Sequence, residues 1–155
     1  MDMARKSPVH FDGTGDIRRI PIQFVTVCTK DRRKVLANDE VHSAILIAWE
    51  KACEWLVGRY VIMPNHIHFF CAPSSFDSVS LAKWITFWKG TSTRCMPQEM
   101  PRPVWQKEYW DRLLRSGESY DQKWEYVVNN PVRAGLVSRA EDGPYAGELN
   151  ELRWH

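Results

Sequence analysis

Arg59-Tyr-Val-Ile-Met-Pro-Asn-His-Ile-His-Phe-Phe-Cys71 decides the fold. Two apolar runs flank Pro64-Asn65, a dipeptide that favours a tight turn, so the segment reads as a hairpin of strands over 59–63 and 66–71. Upstream, Asn38 is a helix N-cap, and Val41, Ile45, Ala48, Trp49, Ala52 and Leu56 recur at helical spacing, which predicts a helix over 39–57 closed by Gly58. Before it, Pro21-Ile-Gln-Phe-Val-Thr-Val-Cys28 is β-branched and apolar and reads as a strand. Downstream, Ser78 or Ser80 caps a second helix to about 94, with Leu81, Trp84, Ile85 and Trp88 inward. A short strand is expected near Val104-Trp105. Ser119 and Gln122 fit a capping box for a third helix over 119–130, which Pro131 ends. The order β-α-β-β-α-β predicts an α+β class: a ferredoxin-like (RRM-like) antiparallel sheet with helices on one face, and an added C-terminal helix that bears Tyr126.

The 155 residues suffice for one domain with a proper core, so 1–155 is expected to be a single domain. With 21 Lys and Arg against 19 Asp and Glu, a polycation that coats nucleic acid in bulk is excluded, whereas a local basic patch is not. That patch is 83–115, with 7 basic and 3 acidic residues, interleaved with Trp84, Phe87, Trp88, Trp105, Tyr109 and Trp110. Cations that track phosphates and rings that stack on bases suit a single-stranded nucleic acid, and a plain amphipathic helix with a solvated basic face is the alternative. Lys83, Trp84, Lys89, Arg94, Arg112 and Arg115 are the candidates for DNA contact, with Arg133 just past the third helix. The run Lys30-Asp-Arg-Arg-Lys34 reads as a solvated turn with optional phosphate contacts. The longest apolar stretch, Ala44-Ile-Leu-Ile-Ala-Trp49, is far short of a membrane span. Cys28, Cys53, Cys71 and Cys95 form no C-x-x-C pair and read as reduced core-filling thiols of a cytoplasmic protein without membrane contact.

Two segments carry chemistry-bearing residues. On a strand, side chains alternate, so His66 and His68 point to one face and Ile67 to the other, and two imidazoles so placed can grip one metal ion. On the third helix, Tyr126 and Asn130 lie at i and i+4, one above the other. Each has an ordinary alternative: a strand histidine satisfied by hydrogen bonds, and a tyrosine at the edge of an amphipathic helix.

Together the segments resemble the REP-associated tyrosine transposases, a branch of the single-tyrosine HUH transposases of small insertion sequences. The resemblance rests on Phe24-Val-Thr-Val-Cys-Thr29, Tyr60-Val-Ile-Met-Pro-Asn-His-Ile-His68, Trp105-Gln106, Tyr109-Trp110-Asp111, Leu114-Arg115-Ser116, Glu118-Ser119-Tyr120 and Tyr126-Val-Val-Asn-Asn-Pro-Val-Arg-Ala-Gly-Leu-Val137. It spans roughly 18–140 and leaves 141–155 as a tail, either a clamp over the site or a strap on the core. Cys28-Thr29 stands where many relatives carry a more polar or basic strand end.

The resemblance implies that Tyr126 is the nucleophile, that His66, His68 and Asn130 ligate a divalent metal, Mg or Mn, and that the substrate is single-stranded DNA with hairpins formed by repetitive extragenic palindromes. A phenol of ordinary pKa, near ~10, is ionised in roughly one molecule in a thousand at neutral pH, so the attack needs help from a cation that polarises the phosphate. A 5′-phosphotyrosine link conserves the phosphodiester's energy, which agrees with the lack of a phosphate-cradling glycine loop. A monomer is expected, with a homodimer that swaps the tyrosine helix as the other arrangement. Two further functions compete: a non-catalytic single-stranded nucleic-acid binder on the same sheet, and a metal-dependent hydrolase that uses water. An RNA-recognition motif would carry stacking aromatics where His66 and His68 stand. The hydrolase would need carboxylates, and none lies between Glu54 and Asp77.

Overall fold

The computed structural model describes residues 21–114, 117–128 and 145–152. β1 (Gln23–Cys28) leads through a turn at Lys30–Arg32 to α1 (Asp39–Lys51); β2 (Trp55–Met63) and β3 (His66–Pro73) form the hairpin; α2 (Leu81–Cys95), β4 (Trp110–Leu113), α3 (Gly117–Val128) and β5 (Ala146–Glu148) follow. All pairings are antiparallel and the sheet order is β4-β1-β3-β2-β5. The first four strands reproduce the ferredoxin-like arrangement read from the sequence, and β5 is an addition at the β2 edge. No helix among the described residues is long and apolar enough to cross a membrane.

Two caps read from the sequence form, whereas the capping box read at Ser119 does not stand at a helix start, since α3 begins at Gly117. The Val41 amide donates to Asn38 Oδ1 at 2.9 Å, and the Lys83 amide donates to Ser80 Oγ at 3.2 Å, each satisfying a donor that a helix start leaves unpaired. The strands divide the molecule into two layers. Val25, Val27, Ile62, Ile67, Phe69 and Cys71 point to one face and bury against α1 and α2, with Trp49, Trp84 and Trp88 packed edge to face around Phe69. Phe24, Phe70, Val61 and Met63 point to the other face, where α3 lies with Tyr120, Trp124 and Val127.

Three expectations require correction. α1 stops at Lys51 rather than 57, because Trp55, Leu56 and Val57 are strand residues paired with Pro73, Ala72 and Cys71. The fourth strand is Trp110–Leu113, not Val104-Trp105; Trp105 makes only an isolated bridge to Thr29 while its indole donates to Ser92 Oγ at 3.1 Å. Cys28 and Cys71 are buried, but Cys53 and Cys95 are exposed and fill no core.

Gly58 therefore ends no helix. It sits in β2 where the register with β3 shifts, and a Cβ there would come within 2.7 Å of Leu152 Cδ1 and 2.8 Å of the Tyr120 hydroxyl. The bare backbone is what lets α3 and the tail close on the strand. Residues 145–152 form a strap: the Ile62 amide donates to the Tyr145 carbonyl, the Leu149 amide to the Gly58 carbonyl, and Leu152 is buried beside Tyr120. Gly58→Ala is expected to cost about 1–3 kcal/mol through overpacking at this three-way contact, read as a lower denaturation midpoint in a urea melt.

Candidate active site

The site is built on β3, the middle strand of the sheet. His66 and His68 lie on the face opposite α1 and α2, with ring centroids 4.7 Å apart. Each ring is fixed through Nδ1. His66 Nδ1 lies 2.7 Å from Asn65 Oδ1, and His68 Nδ1 lies 2.9 Å from Thr26 Oγ1 on β1. If Asn65 accepts from His66 Nδ1–H, the tautomer is set and Nε2 is the nitrogen His66 offers a metal. The turn that carries Asn65 is itself clamped: the Thr29 amide donates to the Asn65 carbonyl at 3.1 Å and the Leu36 amide to the Pro64 carbonyl at 2.9 Å. The sequence Pro64-Asn65-His66 thus turns the chain, holds the turn and orients the first imidazole.

A pocket of 310 Å³ opens in front of the imidazoles, lined by Thr26, Cys28, Arg32, His66, His68 and Trp110. Burial lowers the His66 pKa from its ordinary value, and the Arg32 guanidinium lowers it further. At neutral pH the ring is therefore uncharged, the form that ligates metal. In the metal-free protein, the His66 imidazole is expected to titrate below pH 6.5, and Arg32→Ala to move its midpoint upward, because a cation disfavouring imidazolium is gone. An NMR titration of the ring protons checks both.

Arg32 is held there by its backbone. Asp31 and Arg32 have φ of 56° and 55°, a left-handed pair of non-glycine residues that costs energy and calls for a reason.

α3 brings Tyr126 to this same face. Tyr120, toward the start of the helix, is the anchor: it is buried, its pKa is pushed up to about 12 by burial, and its hydroxyl accepts from the Arg59 amide at 3.4 Å. The Arg59 guanidinium lies 4.6 Å above the Tyr120 ring and 5.8 Å from the Trp124 ring, and pairs with Asp121 on α3 and Glu148 on β5. Tyr126 is the opposite kind of tyrosine, 61% exposed. The Lys123 ammonium sits 5.8 Å from the Tyr126 ring and 4.8 Å from the Phe24 ring, and Phe24 stacks on His68 with centroids 5.4 Å apart. A run of contacts thus leads from the exposed phenol to the imidazoles.

The donor set suits a divalent cation: two neighbouring imidazoles, fixed in orientation, one held neutral. Among the described residues no group of three or more His, Cys, Asp or Glu gathers to hold a metal. Asn130, the expected third ligand, and the candidate DNA contacts Arg115 and Arg133 lie outside the described residues.

The DNA-contact candidates divide between the two faces. Arg112 stands opposite Phe24 on β4, on the site's face. Lys83, Lys89 and Arg94 belong to α2, across the sheet from the imidazoles. Lys89 also has a structural task, since its ammonium donates to the carbonyls of Gln106 at 2.8 Å and Lys107 at 3.3 Å. Trp84 is a correction: it is 1% exposed and its indole donates to the Ala52 carbonyl at 2.6 Å, so it cannot stack on a base. The sequence reading missed Thr26 and Lys123 as site residues and gave Arg32 only optional phosphate contacts within the run 30–34. Pairing of β1 with β3 would have pointed to Thr26; only the fold brings the other two to the site.

Comparison with known proteins places the chain in a family. The family model described as Transposase IS200 like matches residues 18–130. A Haemophilus influenzae Rd protein provisionally named a REP-associated tyrosine transposase is 26% identical, covering 89% of this chain and 85% of its own length. The REP-associated tyrosine transposase of Escherichia coli K12 is 25% identical, over 79% of this chain and 73% of its own. A solved structure of a REP-associated tyrosine transposase bound to a REP hairpin shares the fold, with a TM-score of 0.68 at 21% identity over 83% of this chain and 76% of that one.

Proposed function

Because the chain belongs to the IS200-like transposase family, we propose that it cleaves and rejoins single-stranded DNA, with Tyr126 as the nucleophile and His66, His68 and Asn130 as ligands of a divalent metal. One observation carries this reading: the helix that bears Tyr126 packs on the sheet face that bears both imidazoles. In the cleavage step the phenolic oxygen of Tyr126 bonds to the scissile phosphorus and loses its proton, the bond from phosphorus to the 3′ oxygen breaks, and that oxygen leaves as a 3′-hydroxyl. The 5′ end stays on the protein as a phosphotyrosine. Attack by a 3′-hydroxyl on that link reverses the step and joins DNA without another energy source.

The chain's own residues contribute position and charge. Tyr120 and Arg59 fix the helix, so Tyr126 meets the phosphate from a defined direction, which is worth rate through orientation alone. Lys123, beside both Tyr126 and Phe24, supplies a cation on the side from which the phosphate approaches. A bound divalent ion would polarise the phosphate and offset developing charge. The two imidazoles favour manganese over magnesium, which prefers oxygen donors such as the Asn130 amide, so manganese or magnesium is the proposed ion.

Hairpin DNA of the repetitive palindrome type is the proposed substrate, supported by the relative solved with a REP hairpin. A monomer is proposed as the working unit, since α3 packs on its own sheet and no partner is needed to supply the phenol. A silent nucleic-acid binder fits less well, because the face that a stacking sheet would present carries two imidazoles and lies partly beneath α3.

The test is to incubate the purified protein with an end-labelled hairpin oligonucleotide carrying single-stranded flanks, with manganese or magnesium. A covalent protein–DNA species on a denaturing gel is the expected result. DNA bound in a native gel with no covalent species under either ion overturns the catalytic reading.

A further inference from the structure

Trp110 is the feature of the face that cleavage by Tyr126 leaves unused. It begins β4, at the edge of the sheet, directly opposite Thr26, whose hydroxyl contacts His68. His68, Thr26 and Trp110 therefore stand in a row across three adjacent strands. The indole is 52% exposed and forms one wall of the pocket that holds both imidazoles. Five other tryptophans of this chain, Trp49, Trp55, Trp84, Trp88 and Trp105, are buried. Leaving this one open forgoes the stabilisation of burying a large ring, and it does so beside the site. Arg32 lines the same pocket from a left-handed backbone, and Arg112, exposed, follows two residues along the strand on the same face as Trp110.

An open indole flanked by two guanidinium groups is a chemical match for a nucleotide: the ring offers a stacking platform and the cations offer phosphate contacts. An apolar ligand would leave those guanidinium groups without counter-charge, and a carboxylate ligand would leave the open indole without a ring to stack on. We infer that Trp110 and Arg32 form a nucleotide subsite, in which the base next to the scissile phosphate stacks on Trp110 while Arg32 holds a backbone phosphate. The inference rests on the proposed DNA cleavage for the identity of its ligand. It adds which base is gripped: one immediately beside the phosphate over the imidazoles, on the β4 side.

The test uses full-length protein in EDTA, so that binding is read apart from cleavage. The probe is a hairpin oligonucleotide with single-stranded flanks carrying one 2-aminopurine at each flank position in turn. Wild type is expected to quench 2-aminopurine at one or two positions. Trp110→Ala is expected to lose that quenching and to bind about 10-fold more weakly, the order of one lost base stack, whereas Trp110→Phe keeps most of both. An abasic site at the quenched position should weaken wild type by a similar factor and leave Trp110→Ala unaffected. Arg32→Ala is expected to lower the salt slope of binding by about one.

Thermal melts of each variant guard against misfolding, and Phe87→Ala, an exposed ring on α2 across the sheet, serves as the control. An unchanged quenching profile and affinity in Trp110→Ala overturns the subsite, as does an equal loss in Phe87→Ala. If the Trp110 effects appear but no covalent adduct ever forms, the subsite stands and the cleavage reading falls. If no hairpin or single-stranded DNA binds, both fall.

Discussion

Tyr126→Phe is expected to abolish covalent attachment to DNA, a loss of roughly 10⁴-fold or more, since the variant has no oxygen with which to form the phosphotyrosine. Binding of the hairpin should change little. The phenylalanine ring keeps the contact with the Lys123 ammonium, and the residue is 61% exposed, so the change is made at the surface. Stability should move by less than about 0.5 kcal/mol, the usual range for a surface change. A labelled hairpin oligonucleotide, resolved on denaturing and native gels in parallel, separates loss of chemistry from loss of binding. Tyr120→Phe is the informative contrast. That hydroxyl is buried against the Arg59 amide, so its removal should lower the melting temperature yet leave the adduct in place. An adduct in Tyr126→Phe at the wild-type rate would remove Tyr126 from the role.

His66→Ala should lose at least about 10²-fold in metal-dependent cleavage, because removing a ligand costs no less than removing the group that orients one. Excess manganese should not restore full activity. His66 is the cleaner choice of the two imidazoles. Its side chain bonds to its neighbour Asn65, whereas His68 also ties β3 to Thr26 of β1 and stacks on Phe24, so a change there mixes chemistry with stability. A manganese titration of cleavage that matches wild type would take His66 out of the metal site.

Several local signals in the sequence were sufficient where the decisive contact is short-range, though the capping box at Ser119 was not, since α3 starts earlier, at Gly117. Asn38 and Ser80 cap their helices as read, Pro64-Asn65 makes the hairpin turn, and the alternation of His66, Ile67 and His68 puts both imidazoles on one face. What the sequence blurred was decided by distant partners. Leu56 continues a helical spacing, yet Ala72 across the hairpin claims it for a strand. A short apolar run cannot distinguish the two by periodicity alone. β4 carries no apolar alternation at all, because all four of its residues are exposed at a sheet edge. The tryptophans show the same limit at the site. Trp84 has an inward helical position and a basic neighbourhood, and only the packing reveals that the first wins. Trp110, in the same basic stretch, is the ring that reaches the pocket.

The strap at residues 145–152 has a consequence for the order in which the molecule can be assembled. During synthesis the chain leaves the ribosome N-terminus first. The strands with the imidazoles and both helices behind them precede the strap in the chain and can associate early. The seat of Tyr120 is finished only when Leu152 arrives to close over Gly58. A growing chain therefore carries both imidazoles well before the helix that bears Tyr126 is seated, so the two parts of the proposed site meet only once the strap has been made.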